Sequence, residues 1–219
     1  MSLIPAIHPD RLPVVPLVGS VPLPGTVQQI DLAPGFSRWL RDLESSRALP
    51  QVALVPVDEA GQLPPASAWP LIGASAAVRQ VLSLPDGGVR VLLQPLRRIR
   101  VFHPQPSASF IEARIEVVDE GVAVDTEGKA LAYNLVRQFL RLVDLTDLPE
   151  PLKLAVREQQ AHPGALVDLI ASALPAATRQ VQLRLLSEPS VQARLQELTV
   201  LLENELVVLG AHAHKVTAR

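Results

Sequence analysis

Residues 12–25 read Leu12-Pro13-Val14-Val15-Pro16-Leu17, Val18-Gly19-Ser20, then Val21-Pro22-Leu23-Pro24-Gly25. A short apolar, β-branched run is joined to prolines and closed by a Pro-Gly step. Proline has no N–H to give a sheet ladder, so prolines flanking such a run determine where a strand begins and where it bends. The pattern predicts a buried strand near the start of the chain, followed at once by a tight turn.

The segments further along extend this reading. Phe110 to Val117 alternates, with Ile111, Ala113, Ile115 and Val117 on one face and Glu112, Arg114 and Glu116 on the other, which predicts a half-buried strand. Leu71–Leu84 and Val89–Phe102 flank Pro85-Asp86-Gly87-Gly88, and the Asp-Gly step supplies the positive φ of a tight hairpin, so a long two-stranded ribbon is expected. Val52 to Val57 predicts a further short strand. Ser37 to Leu49 carries Trp39, Leu40 and Leu43 at the spacing of one amphipathic helix.

Near residue 120 the period changes. Leu131, Leu135, Phe139 and Leu142 form one stripe on a helix from about Glu127 to Val143. Pro151 and Pro163 suit first helical turns, where a missing N–H costs nothing. Thr178 to Leu186 predicts a fourth helix. From Pro189 onward, Val191, Leu195, Leu198, Leu202 and Leu209 define a long terminal one, with Val208 and Val216 keeping its end apolar. The fold class expected is α+β: a β-rich subdomain over 1–120, a twisted sheet or pseudo-barrel with one helix, then a helical bundle over 121–219. The hinge is expected in Glu120 to Thr126, around Gly121.

Composition narrows the function classes. The 219 residues are 48% hydrophobic and 19% charged, enough for real cores. A net charge of −2 provides no field for nucleic acid or anionic lipid. Aromatic residues at 3% leave few stacking platforms for single strands. Without cysteine there is no disulfide, thiolate metal site or cysteine nucleophile. Pro5, His8, Pro9 and Asp10 interrupt any signal-peptide core, and no segment approaches the ~18 apolar residues of a membrane span, so a cytoplasmic location is expected.

The catalytic constellations are incomplete. Gly121 to Gly128-Lys129-Ala130 misses the P-loop spacing, Ala130 has no oxygen for magnesium, and Asp125 and Glu127 would repel phosphate. Gly73-Ala74-Ser75-Ala76-Ala77 has the residues of a nucleophile elbow but runs on into a strand, so Ser75 is expected to be a small strand residue. Asp168 is expected on a helix surface rather than in a triad with His162. His212 and His214, two apart, lie on different sides of a helix. Arg97, Arg98 and Arg100 form a positive cluster, with Arg98 and Arg100 on one solvated strand face and Ile99 and Val101 on the other. Catalytic, cofactor-binding and metal sites are all expected to be absent.

The opening Leu12–Gly25 resembles the start of the Lon protease N-terminal domain, Leu-Pro-x-x-Pro-Leu and then a hydrophobic residue before Pro-Gly, with Leu23 where that family often has Phe. Ile72-Gly73-Ala74, Val78-Arg79-Gln80, Leu84-Pro85-Asp86-Gly87 and Leu96-Arg97-Arg98-Ile99 resemble its ribbon, in the family's order. Phe110-Ile111-Glu112-Ala113 is similar to its next strand. Leu166–Ala171, Leu185-Leu186-Ser187-Glu188 and Arg194-Leu195 resemble its helices. The resemblance implies a non-catalytic recognition and assembly region of an ATP-dependent serine protease, binding unfolded or damaged proteins. Its ATPase module, with ATP and Mg, and its serine-lysine peptidase lie outside these residues, and the full-length protein would assemble as a homohexamer. The alternative is a free-standing Lon-domain adaptor or ligand-binding module. Nucleic acid and membrane are not expected partners. Binding of this kind needs exposed apolar surface and free sheet edges. Pro22, Leu23, Leu82, Leu84 and Pro85, at the hairpin tip and Pro-rich turn, are the expected substrate contacts.

Overall fold

The computed structural model describes residues 10–32, 50–107, 110–121 and 124–217, with 212–217 as backbone alone. The helix expected over Ser37–Leu49 lies outside the described residues. By its contacts the chain divides into two compact units, Met1–Val118 and Asp119–Arg219.

The first unit is a six-stranded sheet: β1 Arg11–Val18, β2 Gln28–Leu32, β3 Gln51–Val57, β4 Leu71–Ser83, β5 Val89–Pro106 and β6 Ile111–Val117. Strand order is β2-β5-β4-β3-β1-β6, and a further β5–β6 pairing joins the ends, so β5, β4, β3, β1 and β6 form a closed ring with β2 outside it on β5. The length of β5 makes this closure possible. Val89–Leu93 pairs with β2, and Ile99–Pro106 pairs with β6, while β4 runs along the opposite side. Only β1 and β3 are parallel; every other pair is antiparallel.

Pro13 and Pro16 lie inside β1 instead of flanking it. β1 pairs with β6 over Arg11–Val14 and with β3 over Val14–Val18. Each proline therefore sits where only one neighbour is paired, and a missing donor on the other side breaks no ladder. The β4–β5 hairpin turns as its sequence demands. Gly87 N–H donates to Leu84 O at 3.1 Å, Leu84 N–H donates to Gly88 O at 2.9 Å, and Gly87 has φ 83°.

Both faces of the sheet are apolar. Val15, Val52, Leu54, Ala76, Val78, Val91 and Leu93 pack on one face, and Leu12, Val14, Ala53, Val55, Ile99, Val101 and Ala113 pack on the other. A bulge in β5 distributes its side chains between them. Ser75 pairs with Arg97 but Ala76 pairs with Pro95, leaving Leu96 as the extra residue. Val91 and Leu93 thus face one cluster while Ile99 and Val101, of the same parity, face the other.

The second unit is a helical bundle of α1 Thr126–Leu145, α2 Pro151–Gln159, α3 Pro163–Ala173, α4 Arg179–Ser187 and α5 Val191–Thr217. The Asp125 carboxylate caps α1, accepting from Gly128 N–H at 2.8 Å, and Pro151 and Pro163 occupy first turns. Leu135, Phe139 and Leu142 of α1 are buried, as are Leu195, Leu198 and Leu202 of α5. From Glu203 to Ala211 the α5 side chains are half-buried or exposed, Val207 at 71%.

Candidate functional site

The expected contact residues divide between core and surface. Leu23 is fully buried and Pro22 is buried too, so neither presents a side chain to a partner. The correction has a local cause. The turn after β1 folds inward: Gly25 N–H donates to Pro95 O at 2.9 Å, and Leu23 O accepts from the Thr26 hydroxyl at 2.6 Å, which fixes this apolar loop against the sheet. The hairpin tip behaves differently. Leu82 is 52% exposed, Pro85 is exposed and Leu84 is half-buried.

Strand register shows what surrounds Leu82. It lies opposite Arg90, which lies opposite Asp31 on β2, so one outward row crosses three strands. Arg90 and Asp31 form a bidentate pair at 2.7 and 2.8 Å. The Arg90 hydrogen bond and its charge hold the Asp31 carboxyl below its ordinary value, and Asp31 raises Arg90 in turn. The inward row, Val81–Val91–Ile30, belongs to the core. Leu82 is thus an apolar side chain beside a self-neutralised ion pair. Two strands away across β5, β2 is the strand outside the closed ring, paired only with β5 among the described residues. Val27, immediately before β2, is 60% exposed.

A second apolar feature of the sheet unit escaped sequence reasoning. A cleft of about 660 Å³ is lined by Ala66, Trp69, Pro70, Phe102, His103, Pro104 and Gln105. It forms where β5 bulges against β6: Phe102 pairs with Arg114 but Gln105 with Glu112, and His103 takes φ 51°. The Phe102 and His103 rings meet edge to face at 5.9 Å. Trp69 donates its indole N–H to Pro64 O at 3.1 Å, so its polar atom is satisfied internally and the cleft offers ring faces. The only sequence signal was the gathering of prolines and scarce aromatics in residues 63–70 and 102–106.

The remaining candidates have structural roles. Ser75 is a buried strand residue with its hydroxyl 3.5 Å from Arg97 O. Arg98, expected to be solvated, is 1% exposed, because the bulge at Leu96 turns it to the face shared by Ala74 and Leu54; Arg97 and Arg100 are exposed. Asp168, expected at a helix surface, is buried and pairs with Arg194 at 3.3 Å, while His162 is exposed at the start of α3. The side chains of His212 and His214 lie outside the described residues. No group of three His, Cys, Asp or Glu able to hold a metal ion occurs among the described residues. The residues around α1 do not fit a nucleotide phosphate, because the Asp125 carboxylate already accepts at that helix start. No described helix is long and apolar enough to cross a membrane.

A closed, mostly antiparallel sheet followed by a bundle with a long final helix defines an α+β protein. The sequence profile of the ATP-dependent protease La (LON) substrate-binding domain matches residues 11–204, and the chain belongs to that family. A Lon protease of Brevibacillus choshinensis is 30% identical over 201 residues, covering 91% of this chain and 25% of that protein. One from Azospirillum brasilense is 31% identical over 199 residues, 90% of this chain and 24% of the relative. The chain therefore spans about a quarter of the length of the curated relatives it matches. The solved N-terminal domain of a Mycobacterium avium complex Lon protease shares the fold, with TM-score 0.67 at 21% identity over 88% of this chain and 98% of that one.

Proposed function

We propose that this chain is the substrate-recognition region of a Lon-type ATP-dependent serine protease and binds unfolded or damaged protein segments. Membership of the substrate-binding domain family over residues 11–204 carries the reading. The sheet unit offers surfaces suited to it. An extended chain can pair its backbone with the outer edge of β2, Leu82 on β4 offers a separate exposed apolar contact, and Trp69 and Phe102 present ring faces to apolar or aromatic side chains. The Arg90–Asp31 pair neutralises the charge beside Leu82, so recognition there is apolar. ATP hydrolysis with Mg, peptide cleavage and hexamer assembly belong, in this reading, to the full-length protease and to parts of it outside these residues.

Titration of labelled casein, followed by anisotropy at low and high salt, tests the proposal. Weak binding that changes little with salt is expected, because a disordered partner loses entropy on ordering and the attraction is apolar. Leu82→Asp, at an exposed position, weakens binding and leaves the circular dichroism spectrum unchanged. Absence of casein binding, or tight salt-sensitive binding of duplex DNA in its place, would overturn the reading.

A further inference from the structure

Arg11 of β1 and Arg114 of β6 stand directly opposite each other, and both are exposed. Like charges in that position destabilise a sheet. The neighbouring glutamates do not relieve them. Glu116 lies across from Arg100 and Glu112 across from Gln105, and among the described residues neither forms an ion pair with Arg11 or Arg114. Arg11 donates to the neutral Gln105 amide at 2.6 Å, and Arg114 has no side-chain partner among the described residues. Two guanidiniums are thus held side by side without a carboxylate.

The pair borders the cleft of Trp69 and Phe102. Gln105, which accepts from Arg11, lines that cleft, and so does Phe102, the partner of Arg114 on β5. Leu12, Ala113 and Val101, one residue along each strand, are buried in the core, so Arg11, Arg114 and Phe102 share the outward face. Side chains paired across strands start about 5 Å apart, which places both guanidiniums within reach of the cleft's rim.

Resting on the substrate-recognition function and narrowing its substrate class, we infer that the cleft and the Arg11–Arg114 pair form one site for an extended segment carrying a carboxylate side chain two residues from a large apolar one. In an extended chain such side chains point the same way, about 7 Å apart. The apolar one enters against the Trp69 and Phe102 rings while the carboxylate meets the guanidiniums, whose forked N–H groups match its two oxygens. Binding also relieves the like-charge repulsion that the fold otherwise carries. A nucleic-acid backbone supplies anions without the apolar side chain that the cleft takes, so the charge and the rings together favour a peptide.

Anisotropy titrations of the full chain with labelled peptides, acetylated and amidated so that no terminal carboxylate is present, test the site. A Glu-x-Phe peptide should bind about fivefold more tightly than Gln-x-Phe, the upper range for an exposed ion pair, and more tightly than Glu-x-Ala. In about 1 M salt, where charges are screened beyond ~3 Å, the preference for Glu should shrink while Gln-x-Phe binding holds. Arg114→Gln should remove most of the preference. Arg114→Glu should transfer it to Lys-x-Phe, a reversal that loss of structure cannot produce, and circular dichroism should be unchanged in both variants because Arg114 is exposed. Equal affinity for the Glu and Gln peptides, a preference for Glu kept in both variants, or displacement of Glu-x-Phe by an equal concentration of duplex DNA would overturn the inference. Casein binding separates this failure from a wider one: if casein still binds, substrate recognition stands without this site, and if it does not, both fall.

Discussion

Replacing Gly73 by alanine tests the closed sheet most directly. Gly73 stands in β4 opposite Ile99 of β5, and on its other side β3 passes so closely that an added Cβ would stand 2.1 Å from Leu54 O and 3.1 Å from Leu54 C. Both atoms are backbone, so no flexible side chain can swing away. To reach ordinary contact the strands must part by about 1 Å, and dispersion and hydrogen bonding across a ladder are lost over such a distance. β3 cannot yield alone, because Ala53 and Leu54 also pair with Val14 and Val15 of β1. Overpacking of a tight core costs roughly 1–3 kcal/mol, and a weakened ladder bond adds about 1 kcal/mol, so Gly73→Ala should destabilise the sheet unit by about 3 kcal/mol. For a unit of this size that corresponds to a fall in Tm of about 10 °C. Both tryptophans, Trp39 and Trp69, lie in residues 1–118, so their fluorescence during urea unfolding follows this unit. Gly210→Ala is the control. A Cβ there meets nothing within 4 Å, and alanine in a helix interior should add up to about 1 kcal/mol of stability. A Gly73→Ala loss below about 1 kcal/mol would refute the close approach of β3 and β4, because relief of that contact would then require almost no adjustment.

Phe139→Ala removes a fully buried ring from α1 and should cost about 3–5 kcal/mol, seen as earlier loss of helical circular dichroism while tryptophan fluorescence keeps its own midpoint. The Asp31 carboxyl is depressed by its hydrogen bond to Arg90, so its contribution is complete above the unfolded carboxylate value of about 3.9 and disappears as pH falls through the lower folded value. Asp31→Asn should therefore lose stability only above that range. Unfolding midpoints measured between about pH 2 and 6 should converge with those of the wild type at the acid end.

The elements were legible where one local signal determined them. The hairpin followed from Asp86-Gly87, the helix starts from Pro151, Pro163 and Thr178, and β6 from strict alternation, since turn dihedrals, first-turn sterics and pleating all act within a few residues. A pseudo-barrel was expected, but the bulge that divides β5 between two faces was not legible. Val89, Val91, Leu93, Ile99 and Val101 share one parity and read as one face, yet the extra residue Leu96 moves the last two to the opposite face and with them buries Arg98. A bulge of this kind depends on the partner strand and leaves no mark in the periodicity of its own strand.

Side-chain burial failed for the same kind of reason. Asp168 is polar on an otherwise apolar helix, and in sequence it looks like a surface residue; its burial is made tolerable by a partner such as Arg194, twenty-six positions later. Leu23 and Leu82 show the limit at the candidate contact surface. Both are leucines beside turn residues, and hydrophobicity alone ranks them equally. The difference arises from what each turn meets: Pro95 O receives the Gly25 N–H and draws the first turn in, whereas Leu82 is directed outward by its pairing with Arg90. An exposed apolar contact is therefore a property of strand register, and it becomes readable only once the partner strand is known.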